Sequence, residues 1–192
     1  LTALKHSNHS PLTRAFSKKE PNMGWSFSCN DTGRKAHIES LTNQRHFSNG
    51  YVPITFRVVG NHVWQLVQRP DGAKYIALDL IAKERGGGWG YKSMDEDWGP
   101  YFFDCPTTLL DKADPPATPN AEAWRAKVFE YADRQKRLKR EMQTLKPGSV
   151  IVVGPCQYTL LEDLGRSGWM VKDQYGAYWR LTERFIKSQL KV

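Results

Sequence analysis

The stretch YVPITFRVVGNHVWQLVQRPDGAKYIALDLIA, residues 51–82, constrains the fold more than any other part of the chain. Val52, Ile54, Phe56 and Val58 recur at every second position, as do Ile76, Leu78 and Leu80. A period of two puts each set on one face of a strand, where it can be hidden against a core. Gly60-Asn61 reverses the chain in two residues, and Pro70-Asp71-Gly72 reverses it again. The segment predicts an antiparallel meander of three to four strands. Ahead of it, GWSFS around Trp25 and Phe27 predicts a short edge strand. A helix then starts at Asp31 or Thr32 as cap, with Ala36, Ile38 and Leu41 facing inward.

A second pattern dominates the other half. Three prolines between Asp114 and Asn120 make a stiff connector, because proline fixes its own φ and restricts its predecessor. Asn120 is expected to cap a long amphipathic helix whose stripe is Trp124, Val128, Tyr131, Leu138, Met142 and Leu145. Lys146-Pro147-Gly148 ends it. Four short strands follow (SVIVV, YTLLEDL, GWMVKD and AYWRL), and a short helix through Phe185 and Leu190 closes the unit. Short strands with glycine turns imply a small closed barrel. LKPGSVIVV and GWMVKDQYGAYWRL resemble Src-homology-3-like and Tudor-like barrels. The expected fold class is α+β. Its parts are a mobile extension over 1–22, a meander domain over 23–113, the connector 114–119, the basic helix 120–146 and the barrel 147–192.

At 192 residues and 40% apolar composition the chain can bury a real core. No apolar run approaches the ~20 residues of a membrane-spanning helix, and no membrane partner is expected. The first 22 residues lack the continuous apolar block of a secretory signal. Cys29, Cys105 and Cys156 are odd in number and far apart, which suits reduced thiols in a bacterial cytoplasm. The net charge of +8 favours a polyanionic partner. It is unevenly placed: residues 91–114 carry two Lys and six acids, residues 120–147 eight Lys/Arg and four acids.

The acidic part lies in GGGWGYKSMDEDWGPYFFDCP, residues 86–106. Asp95, Glu96 and Asp104 offer oxygen ligands for a hard divalent cation, and Lys92 a charge for a nuclease-like site. Adjacent acids in an extended chain diverge, however, and no calcium-loop spacing is present. The favoured reading is a structural corner. Glycines free the backbone there, while Trp89, Tyr91, Tyr101 and their aromatic neighbours pack or form a recognition edge. MGWSF at 23–27 and the motif at 90–106 resemble a group of uncharacterised proteins carried by bacteriophages and plasmids. The matching positions include Tyr91, Lys92, Asp95, Glu96, Tyr101 and Asp104. The resemblance implies a mobile-element origin and a host-interaction role, such as countering restriction or CRISPR defence.

RQKRLKR gives the strongest binding signal. Arg134, Lys136, Arg137, Lys139 and Arg140 would track phosphates, unless the helix is simply a solvated face with a pair such as Asp133 to Arg137. In the barrel, Trp169 and Arg180 stand among aromatics alternating with cations, a composition suited to unpaired bases. The expectation is a non-enzymatic protein that binds nucleic acid or a host nucleoprotein complex without metal or cofactor. The alternatives are a protein-binding inhibitor using loop 91–104 and a divalent-metal nuclease using Asp95, Glu96 and Asp104.

Overall fold

A computed structural model describes residues 25–27, 33–43, 49–85 and 87–190. The expected extension over 1–22, the motif start at Met23, the caps Asp31 and Thr32, Cys29 and Gly86 lie outside the described residues. The chain divides into two compact units, Leu1–Phe129 and Glu130–Val192, and the division falls inside the long helix.

The first unit holds β1 (Ser26–Phe27), α1 (Arg34–Thr42), β2 (Val52–Val59), β3 (His62–Gln68), β4 (Lys74–Lys83), β5 (Trp89–Asp95), α2 (Thr107–Leu110) and the start of α3 (Pro119–Thr144). Four strands and the two-residue β1 form one antiparallel sheet in the order β1-β5-β4-β3-β2. One face carries Trp64, Leu66, Ile76 and Leu78, which are packed by Leu109 and Leu110 of α2 and by Trp124 and Val128 of α3. The other face carries Val63 and Ile81 beneath Ile38 and Leu41 of α1, and Val67, Tyr75 and Ala77 beside Tyr51. Because both faces are covered, β3 and β4 are almost wholly buried, and the two buried polar residues within them pair with each other, the Gln65 side-chain amide donating to the Asp79 carboxylate at 2.6 Å.

The structure corrects several expectations here. Val52, Ile54, Phe56 and Val58 are not core: all four are exposed on the free edge strand β2. A bulge between Pro53 and Thr55 breaks the alternation they display in sequence. Bulges and prolines are common guards of sheet edges. In α1, His37 takes the inward position expected of Ala36, which is exposed. Trp89 to Asp95 adds a full strand to β4 where a corner was expected. Finally, α3 starts before Asn120. The hydroxyl of Thr118 accepts from the Ala121 amide at 3.1 Å, and Pro119, which has no N–H to satisfy, occupies the first helical position. Tyr131 leaves the apolar stripe and is exposed.

The second unit holds the rest of α3, β6 (Val150–Val153), β7 (Cys156–Asp163), β8 (Trp169–Asp173), β9 (Tyr178–Leu181) and α4 (Glu183–Gln189). Its strands form an open antiparallel sheet in the order β6-β7-β8-β9, not a closed barrel. Ile151, Leu160, Trp169 and Val171 line the inner face, where Ile186 of α4 and Met142 and Leu145 from the end of the long helix pack on them. Ile186, not Phe185, anchors α4, and Phe185 is exposed. The α4 hydroxyl cap is Thr182, which accepts from Phe185 N at 3.2 Å.

Candidate nucleic-acid interface

The acidic motif comes apart into separate structural contacts. Its residues 91–95 are in β5, so they alternate between faces: Tyr91 and Asp95 share one side with the Asp79 row, Lys92 the other with Leu80. Trp89 and Tyr91 flank His37, with ring centroids 6.4 and 6.2 Å from its imidazole. A short turn then points Glu96 inward. Its carboxylate, 2% exposed, takes Arg125 Nε at 2.6 Å and Nη2 at 2.7 Å, and accepts the Ile76 amide at 3.1 Å. Asp97 pairs with Arg69 and accepts from the Thr118 hydroxyl at 3.2 Å. Asp104 holds His62 Nδ1 at 2.7 Å, while Phe102 lies 4.4 Å from that imidazole, centroid to centroid. Asp95, Glu96 and Asp104 therefore do not converge. Among the described residues, no three His, Cys, Asp or Glu side chains are arranged to hold a metal ion. Cys105 is buried, and that burial first, then the Asp104 and Glu96 charges, pushes its thiol far above the ordinary range. A thiol so held is not a nucleophile at neutral pH.

The second unit concentrates the positive charge. Residues 130–192 contain twelve Lys/Arg against seven Asp/Glu, or +5 of the chain's +8. Arg134, Lys136, Arg137, Lys139 and Arg140 are all exposed on α3. Among the described residues, the five make one ion pair, Lys136 to Asp133 at 3.3 Å. The expected Asp133–Arg137 pair is replaced by this i,i+3 contact. At about 100° per residue, buried Leu138 marks the inward line of the helix. Lys136 and Arg140 then fall on the outward side, Arg137 and Lys139 flank Leu138 at about 100° on either hand, and Arg134 lies only about 40° from it.

The sheet supplies a different surface. Trp169, an expected contact residue, is 5% exposed and belongs to the core. Its neighbours on β9 are the exposed rings: Tyr178 is 65% exposed and Trp179 more than half so. Register pairs Lys172 with Tyr178 and Met170 with Arg180 on the outer face, opposite the side that buries Trp169 and Val171. Lys172 Nζ stands 5.8 Å from the centre of the Tyr178 ring. The β8–β9 turn is held by Asp173, whose carboxylate accepts the Trp179 indole N–H at 2.8 Å and the Tyr175 and Ala177 amides at 2.9 and 2.8 Å. The indole bond contributes most to keeping that carboxyl below its usual range; desolvation opposes it more strongly than any single backbone amide supports it, and the Ala177, Tyr175 and Gly176 amides together add to the lowering.

Met142 and Leu145 pack on the inner face, so the end of the helix and the Tyr178–Arg180 surface lie on opposite sides of the sheet. The structure thus groups the five helix cations and separates them from Arg180. Tyr178, one of the aromatics of the expected barrel, takes the exposed position expected of Trp169, and only strand register distinguishes the two. No protein-family model, no curated protein and no solved structure matches the chain.

Proposed function

We propose that the second unit is a non-enzymatic nucleic-acid-binding module in which α3 tracks phosphates. The observation that carries this reading is five exposed cations within seven residues, with a single carboxylate partner among them. Partnerless cations on a rigid helix release counterions when they meet a polyanion, which is the main source of affinity without sequence preference. The Tyr178, Lys172 and Arg180 face is a secondary contact for a strand that wraps the unit. We further propose that the protein belongs to a mobile element, with a target in a bacterial cytoplasm, either nucleic acid or a host nucleoprotein complex, and counter-defence as its role.

The inhibitor reading, in which loop 91–104 presents acids to a host enzyme, has less support, since Glu96, Asp97 and Asp104 already face Arg125, Arg69 and His62. The nuclease reading needs carboxylates that converge, and these diverge. The test is binding of a labelled duplex by fluorescence anisotropy across a salt series. If Lys136, Arg137 and Arg140 each meet a phosphate, log affinity falls against log salt with a slope of about −2.7, and all five cations would give about −4.5. The triple variant K136E/R137E/R140E is expected to weaken duplex binding strongly and to flatten its salt dependence. Affinity indifferent to salt, or unchanged in that variant, overturns the proposal.

A further inference from the structure

The motif leaves one feature unexplained by its internal contacts. Trp98 and Tyr101 are 60% and 87% exposed, although they sit between the buried Glu96 and the buried Cys105. Gly99 makes this possible. It adopts φ 64° at the end of the Glu96–Trp98 turn, and its amide returns to the Glu96 carbonyl at 3.0 Å. Left-handed backbone there turns the chain outward and sets the two rings on either side of Gly99-Pro100. Together with Phe103, Asn120 and Lys127 they line an open cleft of about 230 Å³ in the first unit. Trp124 forms part of the lining and is fixed by its indole N–H, which donates to the Phe102 carbonyl at 3.0 Å. Lys127 Nζ stands 5.7 Å from the Phe103 ring centre.

The chemistry of this cleft selects its occupant. Aromatic faces attract flat π systems, cations and apolar side chains. The Lys127 ammonium already beside Phe103 repels a cationic guest and adds a contact for an anion. Asn120 supplies an amide that can both donate and accept, as the edge of a base requires. We infer that the cleft takes an unpaired base of single-stranded nucleic acid, stacked on Trp98 and Tyr101, with Lys127 on a neighbouring phosphate. The inference rests on the reading that the chain binds nucleic acid, but it names a separate surface and a different contact, base instead of phosphate.

The experiment compares, in the full chain, a labelled single-stranded oligonucleotide, its abasic counterpart with the same phosphates, and a duplex. The intact strand is expected to bind the unmodified protein more tightly than the abasic one by roughly five- to a hundredfold, the range for stacking one base. W98A and Y101A, at exposed positions, should erase that difference and leave duplex affinity unchanged. K127Q should lower the magnitude of the single-strand salt slope by about 0.7. The α3 triple reversal separates the two readings: it should weaken all three ligands alike yet keep the base-dependent ratio. If that reversal has no effect while W98A removes the ratio, the cleft stands and the helix reading fails. Equal binding of intact and abasic strands overturns the inference, as does a ratio that survives W98A and Y101A. Saturable quenching by a proline-rich peptide with no response to bases also overturns it and makes the cleft a peptide groove.

Discussion

Replacing Glu96 tests whether the acidic motif is architecture. In Glu96→Ala the Arg125 guanidinium stays buried, retaining its bond to the Asp114 carbonyl at 2.7 Å but losing acceptors for Nε and Nη2. The Ile76 amide loses its acceptor too. Breaking a buried pair from one side costs about 3–5 kcal/mol, and an orphaned buried amide about 1–3 kcal/mol. The effects share one carboxylate and do not add fully, so a loss of about 4 kcal/mol is expected. That is a large part of the ~5–15 kcal/mol that stabilises an ordinary domain. Replacing both partners by apolar residues, Glu96→Leu with Arg125→Met, removes the stranded charge and should cost less than either truncation alone. Two compact units need not unfold together, so a single melting curve is ambiguous. Hydrogen exchange at the Ile76 amide, read in the native protein, reports this locus directly. Its protection should fall by roughly a thousandfold in Glu96→Ala, the equivalent of about 4 kcal/mol. Protection changed by less than about tenfold, or a double variant as damaged as the sum of the singles, would refute the view that this carboxylate is structural.

Other outcomes follow from the same geometry. A Cβ at Gly168 would lie 2.1 Å from the Leu181 carbonyl oxygen and 2.8 Å from Thr182 Cα, at φ 96°. Gly168→Ala should therefore destabilise the second unit by at least ~3 kcal/mol, read from hydrogen exchange at its β8 amides, against about 1 kcal/mol for Gly165→Ala, which has positive φ but open space. Native iodoacetamide labelling, followed by peptide mass spectrometry, should modify half-exposed Cys156 and spare Cys105; equal rates would contradict the burial that raises the Cys105 thiol. His37 is held below its ordinary pKa mainly by burial, with the Gly90 backbone and the Asp79 charge opposing. The unfolded chain then binds the proton more readily, so the first unit should lose stability as pH falls below about 6.5, and His37→Gln should flatten that dependence. Asp173→Ala, which removes the acceptor for the Trp179 indole and two turn amides, should raise amide exchange throughout the β8–β9 turn.

How far the sequence could be read depended on whether a pattern was local. Gly60-Asn61 and the α3 stripe are set by neighbours a few residues apart, and the strands and helix appear at those places. Strand β5 was hidden because Gly90, Lys92 and Ser93 interrupt any apolar alternation, while its pairing with β4 comes from a partner strand earlier in the chain. The exposure of β2 could not be read either. Its row looks like a core face, yet the edge position in the sheet and the bulge at Pro53 are consequences of pairing partners far along the chain. Barrel closure likewise requires the first and last strands to meet, and four short strands with glycine turns suit an open sheet equally well.

The proposed binding surfaces obey the same distinction, and it explains why one could be read from the sequence and the others could not. A run such as RQKRLKR must put cations outside in any helix that buries only Leu138, because burial without partners is too costly for five charges. Aromatic residues carry no such constraint. Trp169 and Trp179 are ten residues apart with similar flanks, yet one fills a core and the other lies half in solvent, since β8 is an inner strand and β9 an edge. Trp98 and Trp89 differ in the same way, through the left-handed turn at Gly99 and the stack on His37. Charge thus locates a surface from composition alone, whereas a stacking platform requires the backbone to hold a flat ring in water against its own tendency to be buried. In this chain that happens at Trp98 and Tyr101, beside a carboxylate anchored to Arg125. A rigid anchor immediately next to two solvent-facing rings is what a preorganised stacking site needs, because the rings then lose little freedom when a base arrives.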